Sequence, residues 1–440
     1  MKKTKQIGTI SSVILALLFV CHIALAQAVP STFFGMNSFN PSSDFPSVPI
    51  GNFGKEASAE WGYIEPNAPT GSGCPGTVNC EHAYNWSTLD SYVSAANNHG
   101  VPFMFTFDQS PPWAVGGLGC SGSPVQCTGV ITDTADFDAF VKALVQRYDG
   151  NHGQGTIQAY ETGNEEDYSG SPTQLAAQAN EYANDIRSTN PNALVVGPGK
   201  DNPISEFQSG GFFDQWWTAW QSINPNAHLD AVTFHGYDGG IATLIAGPCG
   251  ASQGGYAACV KSAILRNGLP ANTPIWDTEG SWGEGANSSL TMQQKVGFVG
   301  SFMLLNWSNG VSRQNWYAWN NSQFGTLCSS GTPCTPNAAA TAYQQVYNWM
   351  VGNTMSTPCS ASGTVWTCGF TNANGSTSLA VWNTTGSSGY RPASQYTQSK
   401  DLSGKTTSVS GAITIGIEPL LLETPSSTPD APSGLIATVK

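Results

Sequence analysis

Two acid-containing stretches of this sequence have residue types suited to acid–base or nucleophilic chemistry. The first, AYETGNEEDYSG (159–170), crowds four carboxylates into seven residues of a chain that is only 10% charged. Those four acids are Glu161, Glu165, Glu166 and Asp167. The second stretch, WDTEGSW (276–282), contains Asp277 and Glu279. Two carboxyl groups that face each other can share one reaction, because one donates a proton while the other attacks or positions water.

The segments around these acids alternate between strand-like and helix-like patterns. Strands are predicted at 32–39, 47–57, 101–108, 156–165, 193–199, 229–238, 273–282 and 312–320. Helices are predicted at 86–100, 134–148, 171–190, 211–222, 257–268, 289–310 and 338–352. These eight apolar strands and seven helices amount to about eight strand-then-helix units, which predict an α/β fold with a (β/α)8 TIM barrel over residues 27–353. GLGCSG (117–122) matches G-x-G-x-x-G, but it follows no clear strand, so a dinucleotide-binding sheet is discounted.

A parallel barrel collects functional side chains at the C-terminal ends of its strands, and this sequence places polar and aromatic residues there. The two glutamates, Glu165 on strand four and Glu279 on strand seven, are predicted to face each other as a catalytic pair. The predicted substrate-binding residues are Asn164, His235, Tyr237, Trp319, Lys55, Trp113 and Trp282. An aromatic ring such as that of Trp319 would stack on the apolar face of a sugar.

The remaining acids have less direct roles in this prediction. Glu161 precedes Glu165 by four residues, so both side chains point to the same face of the strand. We therefore expect Glu161 to be buried below Glu165 and paired with a base. Asp277 is expected to form hydrogen bonds in the core. Glu166 and Asp167 are expected to be loop charges that raise the pKa of Glu165 by like-charge repulsion.

Four motifs stand in order at the predicted strand ends: NE on strand four, FHGY (234–237), WDTEGSW and YAW (317–319). Together they resemble those of clan A glycoside hydrolases, most nearly the family 39 type, which joins such a barrel to a β-sandwich, and the resemblance covers about residues 31–423. It implies a retaining double displacement with Glu165 as acid/base and Glu279 as nucleophile. It also implies that Asn164 binds the sugar 2-hydroxyl and that Tyr237 hydrogen-bonds the nucleophile.

Two positions depart from the pattern of that clan. The strand-four motif usually reads W-N-E-P, whereas here Gly163 and Glu166 replace Trp and Pro. Strand two usually ends in Arg, for which Lys55 is the best match, and Lys lacks the planar fork of Arg. Two alternatives therefore stay open: a non-catalytic carbohydrate-binding protein on a degenerate barrel, and an inverting or arabinofuranoside-cleaving enzyme on this scaffold.

The composition of the chain limits the classes of partner that it is expected to bind. A net charge of −13 argues against nucleic acid and anionic membranes, and the many hydroxyl, amide and Trp residues suit a carbohydrate ligand. HExxH and Walker motifs are absent from the sequence, and we expect no metal and no cofactor. We expect a monomer that does not bind membranes once its signal is cleaved.

The N-terminus reads as a secretory signal over residues 1–26, which predicts a secreted or periplasmic protein. The ten cysteines outside this segment fall into close pairs in loop-like sequence, and this spacing predicts disulfides. The pairs are Cys74–Cys80, Cys120–Cys127, Cys249–Cys259, Cys328–Cys334 and Cys359–Cys368. Residues 354–423 contain short strand patterns without helices, which predict a C-terminal all-β sandwich-like domain. Residues 424–440 read as a Pro/Ser linker that ends like the first strand of a fibronectin type III module.

Overall fold

The fold is described from a computed structural model of the chain. The structure describes residues 27–54, 59–115, 120–122, 126–165, 170–237, 255–283, 289–321, 323–329 and 331–424. The predicted signal segment, the predicted linker beyond Thr424, and Lys55, Glu166, Asp167 and Cys249 lie outside these residues.

Eight parallel strands form a closed barrel, which confirms the predicted TIM-barrel fold. They are β1 (Phe34–Asn37), β2 (Asn52–Gly54), β3 (Phe103–Thr106), β4 (Ile157–Glu161), β5 (Leu194–Lys200), β6 (Ala231–Tyr237), β7 (Ile275–Ser281) and β8 (Val311–Trp316). Each strand pairs with its neighbour in chain order, and β1 also pairs with β8 to close the barrel. The strands are almost entirely buried because helices cover their outer face and side chains fill the interior.

Within the described residues, seven long helices follow seven of the strands. They are α1 (Ser87–Asn98), α2 (Thr134–Arg147), α3 (Pro172–Thr189), α4 (Phe212–Ile223), α5 (Ala257–Arg266), α6 (Met292–Ser308) and α7 (Ala338–Met350). The sequence predicted about eight strand-then-helix units, but residues 38–51, which join β1 to β2, contain only turns and bends. Pro41, Pro46 and Pro49 explain the difference, since each removes a backbone donor and disfavours a continuous helix.

Two of the helices have reciprocal caps at their N-termini. In α3 the Ser171 hydroxyl accepts from the Gln174 backbone N–H, and the Gln174 side chain accepts from the Ser171 N–H. Thr291 and Gln294 make the same arrangement before α6. Capping of this kind satisfies amide groups that have no partner inside the helix, so these helices begin at defined residues behind β4 and β7.

Residues 354–424 form an all-β region. Its strands are β9 (Thr354–Ser362), β10 (Val365–Thr371), β11 (Thr377–Asn383), β12 (Ser388–Tyr390), β13 (Gln398–Lys400), β14 (Thr406–Ser408), β15 (Ile413–Ile415) and β16 (Leu420–Glu423). Six of them form an antiparallel sheet in the order β9-β10-β11-β16-β13-β14, while β12 pairs with β15. Two small sheets of this kind agree with the predicted all-β region.

Helix α6 lies between the barrel and the C-terminal sheets. Every residue from Val296 to Trp307 is buried, on all faces of the helix. A Cβ added at Gly297 would stand 2.6 Å from the Ile417 carbonyl oxygen, and one at Gly300 would stand 2.8 Å from Leu402 Cδ1. The two glycines therefore let the C-terminal region approach the helix backbone closely.

Four of the five predicted cysteine pairs are confirmed as disulfides. They are Cys74–Cys80, Cys120–Cys127, Cys328–Cys334 and Cys359–Cys368. Within the described ranges, no helix combines the length and the apolar character needed to cross a membrane.

Candidate active site

The C-terminal ends of β4, β6 and β7 bring Glu165, His235 and Glu279 together. His235 and Glu279 belong to β6 and β7, whose registers place them side by side. Glu165 lies four residues beyond the last residue of β4, and its backbone N–H donates to the Gly199 carbonyl on β5 at 2.9 Å. Glu165 also has a left-handed backbone with φ of 51°. Non-glycine residues rarely adopt this conformation, and it is concentrated at functional sites.

One imidazole nitrogen contacts both glutamates. His235 Nδ1 is 2.7 Å from Glu165 Oε1 and 3.6 Å from Glu279 Oε2. One oxygen of Glu165 and one of Glu279 lie within 4.8 Å of each other. The Tyr237 hydroxyl donates to the same oxygen of Glu279, Oε2, at 2.7 Å. The predicted glutamate pair is therefore assembled across the barrel mouth, with His235 between the two carboxylates and Tyr237 against Glu279.

Burial and mutual charge perturb all three titrating groups. Burial alone would lower the pKa of His235, but the charge of Glu279, the hydrogen bond to Glu165 and the charge of Glu165 raise it to about 10. Burial raises the pKa of Glu165, yet the hydrogen bond and charge of His235 outweigh it, so the pKa lies below its ordinary value. Burial also raises the pKa of Glu279, with a further contribution from the charge of Glu165. The cluster therefore holds a proton on His235 at neutral pH, hydrogen-bonded to Glu165 and close to the charge of Glu279.

A second buried acid lies in the barrel below this cluster. The Glu161 carboxylate is completely buried and accepts from the Thr106 hydroxyl at 2.9 Å and the Thr278 hydroxyl at 2.8 Å. The predicted burial is correct, but the hydrogen bonds that the structure gives Glu161 come from hydroxyl groups, whereas the sequence predicted a base. Two hydroxyl donors can satisfy a carboxylate that water cannot reach.

Asp277 is buried next to the cluster, where the sequence predicted a hydrogen-bonding core residue. Its Oδ1 accepts from the Gly236 backbone N–H at 3.0 Å. Burial raises the pKa of Asp277 from its ordinary 3.8 to about 7. This carboxyl group is therefore held largely protonated at mildly acidic pH.

A cleft of about 500 Å³ opens above the two glutamates. The residues that line it are Phe39, Glu60, Tyr63, Asp108, Gln109, Asn164, Glu165, Asp201, Tyr237, Glu279, Tyr317 and Phe324. Of the predicted site residues, Asn164, Glu165, Tyr237 and Glu279 line the cleft. His235 lies just beneath it, with a side chain that is 0% exposed.

The predicted tryptophan contacts with substrate need correction. Trp319 is 0% exposed and its indole N–H points to Asp44, while Trp282 is 2% exposed and packs edge-on against Trp316. A ring can stack on a sugar only with a free face, so neither tryptophan offers a platform. Trp113 donates to the Glu65 carbonyl and packs against Trp61 away from the cleft lining. Lys55 lies outside the described residues.

Four aromatic residues that the sequence analysis missed line the cleft in place of those tryptophans. The Tyr317 ring centroid is 6.3 Å from that of Phe39 and 5.7 Å from that of Phe324, and Tyr63 lies elsewhere on the lining. Tyr317 follows directly after the last residue of β8. Its place directly after a barrel strand made it a candidate, but Trp319 lies two residues further on the same face of an extended chain, so the sequence could not choose between the two rings.

The described residues contain two groups of ligand atoms close enough to share a metal ion. One is Glu165, His235 and Glu279; a cation there would have to displace the proton of His235, because metal ligands bind deprotonated. The other combines Asp44 with Cys328 and Cys334, whose sulfurs are joined in a disulfide and are not thiolates.

The chain is similar in structure to several glycoside hydrolases. A family 39 glycoside hydrolase from Bacteroides cellulosilyticus WH2 aligns with a TM-score of 0.65 at 15% identity, over 92% of this chain and 82% of that chain. A monomeric beta-xylosidase from Caulobacter crescentus CB15 aligns with a TM-score of 0.57 at 11% identity, over 90% and 97% of the two chains. The catalytic domain of GH30 xylanase C from Talaromyces cellulolyticus aligns with a TM-score of 0.55 at 16% identity, over 91% and 99%.

These likenesses show a shared fold over nearly the whole chain. No protein-family model matches the sequence, and no curated protein matches it. The chemistry of this chain is therefore argued from the geometry of its own cleft.

Proposed function

We propose that this protein is a secreted retaining glycoside hydrolase that cleaves O-glycosyl bonds of an oligo- or polysaccharide. The observation that carries the proposal is the pair Glu165 and Glu279, with one oxygen of each within 4.8 Å at the floor of an open cleft. Retaining enzymes hold their two carboxyl groups about 5–5.5 Å apart, whereas inverting enzymes leave a wider gap for water. The fold shared with glycoside hydrolases supports the same conclusion.

The proton on His235 supplies the protonation state that this reaction needs. Double displacement begins with one neutral and one ionised carboxyl group. Transfer of the proton along the 2.7 Å hydrogen bond from His235 Nδ1 to Glu165 Oε1 leaves neutral imidazole, protonated Glu165 and ionised Glu279. The total charge of the cluster does not change, so the site can reach its reactive state without taking up a proton from solvent.

Each residue then has a defined role in the proposed reaction. Glu279 attacks the anomeric carbon while Glu165 protonates the departing glycosidic oxygen, which yields a glycosyl ester on Glu279. Glu165, now ionised, takes a proton from a water molecule that hydrolyses the ester and releases the sugar. The Tyr237 hydroxyl holds Glu279 Oε2 in position, and Asn164 on the cleft wall hydrogen-bonds the sugar 2-hydroxyl.

Secretion is the second part of the proposal. The N-terminal segment has the basic, apolar and small-residue regions of a secretory signal. The four disulfides support an oxidising compartment, where such bonds persist. Detection of the processed chain outside the cytoplasm of an expressing host, beginning near Gln27, would test this part separately.

A hydrolysis screen with a stereochemical readout tests the enzymatic part. The wild-type protein should release reducing sugar from at least one polysaccharide, and NMR of the first-formed product should show the anomer of the substrate. Glu279→Gln should lower kcat/KM by roughly 10³-fold or more, since it removes the nucleophile. Asp149→Asn, at the opposite end of the barrel before β4, should behave like wild type. Inverted product, or near-normal activity of Glu279→Gln, would contradict the proposed mechanism.

A further inference from the structure

The two sides of the cleft differ in chemistry. Asp108 follows β3, Glu165 follows β4 and Asp201 follows β5, and these three strands are neighbours in the barrel. Five of the twelve lining residues are Asp or Glu, and among the described residues none that lines the cleft is Lys or Arg. One arc of the cleft is therefore an acidic wall, which we define as Asp108, Glu165 and Asp201.

The opposite arc is aromatic. Phe39 follows β1 and Tyr317 follows β8, which pair with each other across the barrel from β4. The Tyr317 ring also contacts Tyr237 and Phe324, with centroids 6.1 and 5.7 Å apart. All four rings line the cleft and are only partly buried. They form an aromatic wall that suits the apolar face of a sugar ring and also attracts cations.

We infer that the cleft selects its glycan by charge, accepting neutral or amino sugars and rejecting uronic acids. The inference rests on the proposed function, because it concerns the sugar bound between the two walls. A sugar carboxylate placed there would face the acidic wall and Glu279 in a partly desolvated space. Repulsion between like charges is strong in such a space. A sugar ammonium group would instead be attracted by both walls.

The charge of the whole chain acts in the same direction. With a net charge of −13, the protein repels an acidic polysaccharide at long range, whereas a neutral one approaches without hindrance. The acidic wall does not weaken the binding of neutral sugars, since ionised carboxylates accept hydrogen bonds from their hydroxyl groups. The acidic wall is thus compatible with binding and selective against one class of ligand.

Three β-1,4-linked tetrasaccharides with the same backbone test the inference: cellotetraose, the glucosamine tetramer of chitosan and the glucuronic acid tetramer of oxidised cellulose. Affinities are measured by calorimetry on the full chain at low and high salt. The neutral and amino tetramers should bind on the order of tenfold or more tightly than the uronate at low salt, with a smaller gap at high salt. Asp108→Asn and Asp201→Asn should narrow the gap, whereas Asp149→Asn, outside the cleft, should preserve it.

The possible outcomes separate this inference from the proposed function. A uronate tetramer that binds as tightly as the neutral one at low salt overturns the charge selection, even if the protein hydrolyses glycans. The expected charge order without hydrolysis of any glycan overturns the enzymatic proposal and leaves the charge selection standing. Failure to bind any of the three tetramers overturns the charge selection, and the hydrolysis screen then decides the proposed function alone.

Discussion

At the scale of single residues, the Tyr237 hydroxyl is hydrogen-bonded directly to the proposed nucleophile. It donates to Glu279 Oε2 at 2.7 Å, and this bond lowers the pKa of a carboxyl group whose burial raises it. Tyr237 is itself held protonated, because burial and the charge of Glu279 raise its pKa well above 10. The phenol therefore stays a donor throughout the working pH range and favours ionised Glu279.

Tyr237→Phe removes that donor while keeping the ring in contact with Tyr317 and Phe324. We expect kcat/KM to fall roughly tenfold to a hundredfold, since a hydrogen bond to a charged group contributes about 1.5–3 kcal/mol. We also expect the acidic limb of the pH profile of kcat/KM to move to higher pH, because the pKa of Glu279 rises further. Tyr396→Phe in the C-terminal region is the control for loss of a phenol. An unshifted acidic limb would show that Tyr237 does not act on Glu279.

The residue scale also shows what the sequence could and could not predict. Strand-end position and motif order identified Glu165, Glu279 and Tyr237, and the structure brings these side chains together. Burial of Trp319 and exposure of Tyr317 on the cleft could not be read from composition, since both are aromatic residues of one short segment. Which of them faces the cleft depends on how that segment packs against β1 and Asp44, a tertiary contact with no local sequence signal.

At the scale of elements, close contact between the ends of β4 and β5 fixes the position of Glu165. Gly199 has φ of 62°, and its carbonyl accepts from the Glu165 N–H. A Cβ at this position would run into the Gly163 carbonyl oxygen and stand 3.0 Å from the Glu161 carboxyl carbon. A glycine is therefore required both by the backbone conformation and by the approach of the two strands.

Gly199→Ala should displace the β4 end and with it Glu165. Gly268→Ala is the matched control, because Gly268 has φ of 72° and no heavy atom within 4 Å of a Cβ. Both variants incur the strain of a left-handed backbone, but only Gly199→Ala adds a collision. We expect Gly199→Ala to be roughly 1–3 kcal/mol less stable than Gly268→Ala in denaturant unfolding and to lose at least about tenfold in kcat. Equal stability and activity of the two variants would mean that the strand ends tolerate the extra atom.

The elements themselves were largely predictable because apolar strands and amphipathic helices alternate so regularly. Predicted and observed strands overlap in all eight cases, and the seven helices occur where their patterns lie. The connection from β1 to β2 was the exception, because the expected repeat outweighed the three prolines within it. The contact of His235 with Glu165 and Glu279 could not be predicted from the sequence either. It forms only when the barrel brings the ends of three different strands together.

At the scale of the whole molecule, buried titrating groups predict how stability depends on pH. Asp277 has its pKa raised by burial from 3.8 to about 7, and His235 has its pKa raised by its acidic neighbours from 6.5 to about 10. A folded pKa above the unfolded value means that the folded state binds the proton more tightly. The stabilisation is complete below the unfolded pKa and is lost as pH rises through the folded pKa. Asp277 thus loses its contribution between about pH 4 and 7, and His235 between about pH 6.5 and 10.

The free energy of unfolding should therefore be highest near about pH 4–5 and should fall by several kcal/mol towards pH 10. Acids whose folded pKa is lowered, such as Glu165 and Asp401, set the decline on the acidic side, since their contribution is lost as pH falls. Denaturant unfolding at intervals from pH 3 to 10 would measure the curve. Stability that rises steadily from pH 5 to 9 would contradict the protonation states assigned to Asp277 and His235.

Asp277→Asn isolates one of the two contributions. The amide matches the neutral carboxyl group in shape and cannot ionise, so the variant should be close to wild type in stability at pH 5. Between pH 5 and 7.5 the wild type should lose on the order of 2 kcal/mol or more that the variant retains, because burying the ionised carboxylate is unfavourable. Asp149→Asn should follow the wild-type curve in this interval, since the hydrogen bond from the Asn151 N–H lowers the pKa of Asp149 to about 2, well outside the interval. Parallel curves for Asp277→Asn and wild type would place the loss of stability at another group, with His235 the first to test by substitution.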